Sequence, residues 1–181
     1  LAQRVKTMRL HGIDRDAFAR FNTNVPAWRY DVVAPGFKYN MTDVAAAIGL
    51  HQLKKAVGFA QRRAHIAQVY DEAFAELDLV LPPKPLAGDV HSWHLYVIEL
   101  GESVAIGRDA FIERMFAQGI GMSVHYIPLH QLSYWKSEYD LSAADFPASE
   151  ASYLRCASLP IYSRMSDADV QRVVAAVRQA L

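Results

Sequence analysis

Helical periodicity from Thr42 to Leu77 constrains the fold of this 181-residue chain more than any other feature. Apolar residues recur at helical spacing along it, and Thr42 or Asn40 can cap its start, with Asp43 in the first turn. Gly58 interrupts the pattern, so we expect a kink or break there. The part that follows Gly58 is expected to link one packing unit to another.

Downstream of residue 85, segments with strand and helix character alternate. Strands are predicted at 94–100 and 120–127, an extended segment at 159–162, and helices at 108–118, at 147–157 and after Ser166. Residues 79–88 are predicted as a connector with one short strand, and 129–146 as mostly loop. This alternation is typical of a small α/β layer with helices packed on a sheet.

Charge and cysteine content narrow the class of protein. Nineteen basic and nineteen acidic side chains cancel, which gives no electrostatic reason to expect a nucleic-acid or membrane partner. The single cysteine, Cys156, cannot form an internal disulfide and is interpreted as a buried, inert thiol. We therefore expect a cytoplasmic protein.

Several motifs occur together in one order along the chain. They are residues 36–43 (GFKYNMTD), 44–53 (VAAAIGLHQL), 61–70 (QRRAHIAQVY), 91–96 (HSWHLY) and 119–130 (GIGMSVHYIPLH), then Phe146-Pro147 and Leu159-Pro160. In this order, and over essentially the whole chain, the sequence resembles the DegT/DnrJ/StrS family of pyridoxal-phosphate-dependent nucleotide-sugar aminotransferases.

The resemblance implies the fold class and the domain organisation. The chain is expected to be the carboxy-terminal part of a fold-type-I aminotransferase, an α/β protein. Residues 1–57 would be the tail of the large cofactor domain, with a dimer-interface loop at 22–40. Residues 58–78 would form a linking helix, and residues 79–181 a small α/β domain with helices packed on a short sheet.

The resemblance also implies where the cofactor is bound covalently. In this family the Schiff-base lysine lies in a segment rich in serine and histidine, upstream of the part that this chain matches. None of the six lysines here sits in such a segment; they are Lys6, Lys38, Lys54, Lys55, Lys84 and Lys136. We expect no catalytic residue in this chain and no activity from the chain alone.

The triplet Lys38-Tyr39-Asn40 is the predicted cofactor-binding element. Many relatives have Asn-Tyr-Arg there, and the form in this chain resembles the branch that makes aminoarabinose-type sugars. The resemblance implies that Lys38 or Asn40 donates to the pyridoxal phosphate of the partner subunit in a homodimer, because cationic and amide donors suit a dianionic phosphate. The sequence leaves open which of the two has this role, and Asn40 could instead be only a helix cap.

Two groups of residues are predicted to bind substrate. His125 and Tyr126, with His130, lie at the end of a predicted strand and, by the resemblance, border the substrate pocket. Trp28, Arg29 and Tyr30 could bind the nucleotide by stacking and phosphate contacts, or could simply fill the dimer interface. The histidine pairs at 91/94 and 125/130 lack the supporting residues of a zinc site, so no metal is predicted.

The function implied by the resemblance is transfer of an amino group, with glutamate as donor, to a keto sugar carried on a nucleotide. Such a product would serve amino-sugar and polysaccharide or lipopolysaccharide biosynthesis. The alternatives are a non-catalytic module that binds a nucleotide sugar or completes a dimer, and a dehydratase-type variant of the same fold. The residue at the upstream lysine position would separate these alternatives.

Overall fold

Six α-helices and three strands make up residues 1–14 and 31–181, the part of the chain that the computed structural model describes. The helices are α1 (Ala2–Met8), α2 (Asp43–Phe74), α3 (Arg108–Ala117), α4 (Ser133–Tyr139), α5 (Pro147–Arg155) and α6 (Asp167–Ala180). The strands are β1 (Leu79–Val80), β2 (Tyr96–Leu100) and β3 (Cys156–Leu159). Short 3-10 helices occur at Leu129–Gln131 and Ala143–Asp145. The mixture of helices with one short sheet agrees with the predicted fold class.

The chain divides into two compact units, Leu1–Lys54 and Lys55–Leu181. The finer division into residues 1–57, 58–78 and 79–181 stays a prediction. No helix among the described residues combines the length and the apolar character that a membrane span requires.

Helix α2 runs unbroken through Gly58, so no break occurs there, and of the two predicted alternatives only a kink stays a prediction. A glycine inside a helix costs about 1 kcal/mol relative to alanine, which is too little to interrupt a helix held by other contacts. The end of α2 is held in this way, because Ile66, Tyr70 and Phe74 are fully buried. Thr42 begins the helix, since its hydroxyl accepts a hydrogen bond from the amide of Ala45 at 3.3 Å.

The three strands form one antiparallel sheet in the order β1-β2-β3. Tyr96 pairs with Leu159 and Glu99 with Cys156, whereas Leu79 pairs with Leu100. In β2 alternate side chains are buried, while all four side chains of β3 are buried. Strand β3 is therefore the most enclosed element of the sheet.

The core of the second unit lies between the sheet, the end of α2 and helices α3 and α6. The rings of Tyr70 and Phe74 stack at 5.6 Å, and Tyr96 meets Tyr70 edge-on at 5.1 Å. Both buried hydroxyls are satisfied, Tyr70 by the carbonyl oxygen of Pro160 at 2.8 Å and Tyr96 by Asp71 at 2.6 Å. Burial raises the pKa of both phenols, so they remain protonated donors.

Helix α6 matches its sequence prediction closely. The hydroxyl of Ser166 accepts from the amide of Asp169 at 3.1 Å, and the carboxylate of Asp169 accepts from the amide of Ser166 at 2.8 Å. This reciprocal pair is a capping box. The predicted apolar face is buried; it consists of Val170, Val173, Val174 and Val177.

The strand predicted at 120–127 is wrong. Only Ser123 pairs there, through an isolated bridge to Ser158, while Tyr126 and Ile127 are exposed. Strand propensity reflects packing on a half-buried pleated surface, and these two side chains have no such surface.

Two predicted boundaries also need correction. The segment 129–146, predicted as mostly loop, contains α4 and two 3-10 helices. Helix α4 has no side-chain cap and three aromatic residues, which are poor helix signals, and it ends where Asp140 adopts a left-handed conformation. The helix predicted at 147–157 ends at Arg155 instead, because Cys156 and Ala157 pair with β2.

Candidate functional site

A close crossing of two backbone segments positions the predicted phosphate-binding triplet in the first unit. Gly12 has a φ of +72°, and a Cβ at Gly12 would lie 2.7 Å from the carbonyl carbon of Ala34. A Cβ at Gly36 would lie 2.5 Å from the carbonyl carbon of His11 and closer still to the amide nitrogen of Gly12. Only glycine at both positions lets the segments approach this closely.

Backbone hydrogen bonds immediately after Gly36 hold this crossing in place. The amide of His11 donates to the carbonyl of Phe37 at 2.9 Å, and the amide of Phe37 donates to that of Met8 at 2.7 Å. The amide of Tyr39 donates to the carbonyl of Arg9 at 2.8 Å. The chain that carries residues 37–39 is thus fixed to the end of helix α1.

The predicted phosphate-binding triplet, Lys38 to Asn40, lies at the surface next to these hydrogen bonds. Lys38 forms an isolated bridge with Leu10 through the backbone, and all three side chains are exposed. The ring of Tyr39 stacks on that of Phe37 at 5.1 Å and 6°, which orders the middle of the triplet. Within residues 1–14 and 31–54, the side chains of Lys38 and Asn40 make no hydrogen bond. The helix cap is Thr42, so capping does not occupy Asn40.

Trp28, Arg29 and Tyr30 lie outside the described residues, as does the 22–30 portion of the predicted interface loop. Their predicted contacts with the nucleotide therefore stay predictions.

The second unit holds His125, which is bound to strand β3. Its Nδ1 lies 2.8 Å from the Oγ of Ser158, a residue that is only 4% exposed. The ring of Tyr126 meets that of His125 edge-on at 4.8 Å and 88°, and the Tyr126 side chain is 75% exposed. These two predicted site residues therefore form one surface, with the histidine anchored and the tyrosine projecting into solvent.

His130 has a different environment and is buried, with 4% exposed. Its Nε2 lies 2.8 Å from the Glu150 carboxylate, which also accepts a hydrogen bond from the side-chain amide of Gln131 at 2.7 Å. These hydrogen bonds from His130 and Gln131 hold the pKa of Glu150 below its ordinary value. The ionised carboxylate of Glu150 can only accept hydrogen bonds, so Nε2 of His130 carries the proton that is shared between them. The ring of His130 also stacks on Phe146 at 5.1 Å.

Ser158, Glu150 and Gln131 are the residues of this region that the sequence did not single out. Ser158 and Glu150 each bind a predicted histidine that is 20 or more residues away in the chain, and Gln131 donates to Glu150. Serine and glutamate at such separations carry no local signal. Only Gln131 could have been found from the sequence, because it directly follows the predicted site residue His130.

Other candidate groups have structural roles. The Nδ1 of His91 accepts from the amide of Trp93, and Trp93 is buried in the core. Cys156 is buried, and this desolvation raises the pKa of its thiol, as expected of an unreactive cysteine. Among the described residues, no group of three or more potential metal ligands lies together.

Helix α2 carries two adjacent arginines, Arg62 and Arg63, whose side chains bind other parts of the second unit. Arg62 donates to the carbonyl of Met165 at 2.7 Å and pairs with Asp167 at 2.7 Å. Arg63 donates to the carbonyl of Ser92 at 2.7 Å. Both arginines thus tie α2 to the loops around the small sheet.

Comparison with known proteins identifies the family. Residues 1–178 match the DegT/DnrJ/EryC1/StrS aminotransferase family. The chain belongs to this family. Among curated members, the uncharacterised protein MJ1066 of Methanocaldococcus jannaschii is 43% identical over 180 residues, which cover 99% of this chain and 46% of that protein. The spore coat polysaccharide biosynthesis protein SpsC of Bacillus subtilis is 39% identical, over 98% of this chain and 46% of its own length.

Solved structures agree with this family assignment. Spr1654 of Streptococcus pneumoniae, named as a sugar aminotransferase, superimposes in its pyridoxamine-phosphate form with a TM-score of 0.76 and 28% identity. The match covers 97% of this chain and 44% of that chain, and the pyridoxal-phosphate form of the same protein gives a TM-score of 0.75. The family resemblance and the predicted fold class are confirmed. The chain spans about half the length of these aminotransferase-family relatives.

Proposed function

We propose that this chain supplies the substrate side and the partner-phosphate side of a pyridoxal-phosphate-dependent nucleotide-sugar aminotransferase. Membership of the aminotransferase family over residues 1–178 carries the proposal. Similarity to a protein named as a sugar aminotransferase and to a polysaccharide biosynthesis protein supports a sugar as the acceptor. Glutamate is the proposed amino donor, and the whole protein is a cytoplasmic homodimer.

Lys38 and Asn40 are the proposed donors to the cofactor phosphate of the partner subunit. Their exposed ammonium and amide groups suit a dianionic phosphate, and neither side chain is engaged within residues 1–14 and 31–54. The hydrogen bond from Tyr39 to Arg9 holds the backbone between the two residues, so donation would require little reordering of the chain.

His125, Tyr126 and His130 are the proposed sugar-side residues. His125 and Tyr126 present a ring nitrogen and a phenol, which can donate or accept hydrogen bonds with sugar hydroxyl and keto groups. His130 acts less directly, because Glu150 already binds its Nε2 and the ring is buried. Trp28, Arg29 and Tyr30 are the proposed nucleotide contacts.

Pyridoxal phosphate, when bound, supplies the electron sink that amino transfer requires. The lysine that holds it covalently is proposed to lie outside this chain. A lysine in that role needs a desolvated amine, whereas all six lysines here are exposed. The isolated chain should accordingly be inactive.

Reductive trapping of the cofactor tests the proposal. Full-length protein loaded with pyridoxal phosphate is treated with borohydride, digested, and mapped by mass spectrometry. We expect one modified lysine, located outside residues 1–181, together with glutamate-dependent amination of a nucleotide keto sugar before reduction.

Two results would contradict the proposal. A modification on Lys6, Lys38, Lys54, Lys55, Lys84 or Lys136 would place the covalent site within this chain. Complete absence of a reducible cofactor would instead indicate a non-catalytic module or a variant whose upstream lysine has been replaced.

A further inference from the structure

We propose that Ser158 is a positioning residue: its hydroxyl fixes the imidazole of His125 so that the second ring nitrogen faces the substrate. The inference rests on the proposed function, because it assumes that His125 contacts the sugar. It adds a residue from the most buried strand of the sheet to the functional site.

Ser158 is well suited to act as a fixed point. On one side its position in β3 is paired with Val97 of β2. On the other side its amide donates to the carbonyl of Ser123 at 2.8 Å, and the amide of Ser123 donates back at 3.4 Å. A residue held by backbone contacts on both edges has little freedom, so the sheet fixes the point from which its hydroxyl reaches the ring.

The Ser158 side chain is buried, so its hydroxyl needs a hydrogen-bond partner within the protein. A hydroxyl that is buried without a hydrogen bond is unfavourable, and the other residues of β3 are Cys156, Ala157 and Leu159. Within residues 55–181, the Nδ1 of His125 is the only hydrogen-bond partner of the Ser158 side chain. The serine therefore differs from its neighbours in contributing a polar contact to one particular ring.

The hydrogen bond at Nδ1 of His125 determines where Nε2 of the same ring points. With Nδ1 bound at 2.8 Å, the imidazole plane is fixed, and Nε2 lies at the opposite end of the ring. Within residues 55–181, Nε2 of His125 has no hydrogen-bond partner. Tyr126 packs edge-on against the same ring and limits its rotation. The hydroxyl thereby holds the ring in one orientation and leaves Nε2 as the nitrogen that meets the ligand.

Ring nitrogen NMR tests the anchor without any ligand. Full-length protein is labelled with ¹⁵N-histidine, and the His125 resonances are assigned with His125→Asn. We expect the Nδ1 resonance of His125 to move in Ser158→Ala, because Nδ1 loses its hydrogen-bond partner, and to return close to its wild-type position in Ser158→Thr, which keeps the hydroxyl. Ser123→Ala is the matched control, because Ser123 contacts Ser158 through the backbone alone.

Kinetics test the consequence for the reaction. With a UDP-linked and a dTDP-linked 4-keto-6-deoxyhexose as probes, Ser158→Ala should lower kcat/KM about tenfold, the effect expected for loss of one buried hydrogen bond. Ser158→Thr, which keeps the hydroxyl, should restore most of the activity. In a His125→Ala background, Ser158→Ala should have no further effect.

The outcomes separate the two proposals. If wild type aminates neither sugar, the proposed function fails on these substrates, and the NMR experiment alone decides the anchor. Unmoved His125 resonances in Ser158→Ala, or an equal loss of activity with and without His125, would overturn the inference. Should Ser158→Ala not fold, Ser158→Cys, with a weaker donor of similar size, replaces it in both assays.

Discussion

Replacing Gly36 by alanine should open the backbone crossing that presents Lys38 and Asn40. The new Cβ would lie 2.5 Å from the carbonyl carbon of His11, whereas carbon atoms pack at about 3.5 Å. Because the obstructing atoms belong to the backbone, no side chain can move aside, and the segments must separate by about 1 Å.

This separation is enough to break the two backbone hydrogen bonds that Phe37 makes next to Gly36. The bonds from His11 to Phe37 and from Phe37 to Met8 are 2.9 Å and 2.7 Å long. Stretched by about 1 Å, both exceed the distance at which a hydrogen bond is effective. At about 1 kcal/mol each, their loss lowers the free energy of local opening by about 2 kcal/mol.

Hydrogen exchange read by mass spectrometry measures this change in the full-length protein. Exchange of the amides of His11 and Phe37 should accelerate roughly thirtyfold, which corresponds to about 2 kcal/mol of local stability. Gly58→Ala is the matched control, since an added Cβ there meets no atom of the described residues within 4 Å. It should slow exchange in helix α2, because alanine favours a helix by about 1 kcal/mol over glycine.

The refuting result is equally definite. If Gly36→Ala leaves exchange at residues 8–39 at the wild-type rate, the close approach at Gly36 does not hold the segment, and the account of the triplet fails. If exchange accelerates while the affinity for pyridoxal phosphate is unchanged, the crossing is real, but it does not serve the cofactor.

Two further predictions concern single side chains. Lys38→Ala should weaken pyridoxal-phosphate binding at least about tenfold in titrations followed by absorbance, whereas Lys84→Ala, a matched exposed lysine, should not. The same assay on Asn40→Ala decides whether Lys38 or Asn40 binds the phosphate. Equal affinities in wild type and all three variants would refute both roles. Ser166→Ala should destabilise the unit formed by residues 55–181 by about 1 kcal/mol in denaturant unfolding, because helix α6 loses its cap. The hydrogen bonds from Ser166 also hold the pKa of Asp169 below its ordinary value, so their stabilisation is present above that ordinary value and is lost as the pH falls through the lower, folded-state pKa. A difference between wild type and Ser166→Ala that persists unchanged below that pKa would contradict this assignment.

Features that depend on neighbouring residues were predicted well from the sequence. The capping box of α6 joins residues three apart, and its buried valines follow helical spacing. Thr42 was one of two candidate caps, and the structure selects it over Asn40. The start and end of α3 were also correct to within a residue, since Gly119 has a φ of +74° and ends the helix. Local patterns suffice in these cases because the interacting groups lie within one or two turns.

Features that depend on contacts between distant segments were predicted poorly. The strand-like residues at 120–127 form a single bridge, because only Ser123 reaches the edge of β3. Helix α4 forms despite aromatic residues that favour strands, beside the 3-10 helix that precedes it. Propensity in both segments was overridden by the surface that each one meets.

By itself, the sequence determined the family, the order of helices around a short sheet, and the positions of the glycines, caps and candidate ligand groups, because each of these is encoded in residue types at short spacing. Only the tertiary structure decided that Ser158 binds His125 across 33 residues and that Glu150 binds His130 across 20. These pairs depend on where the backbone returns after several turns and helices. A hydroxyl or carboxylate becomes an anchor only when the fold brings it within about 3 Å of its partner.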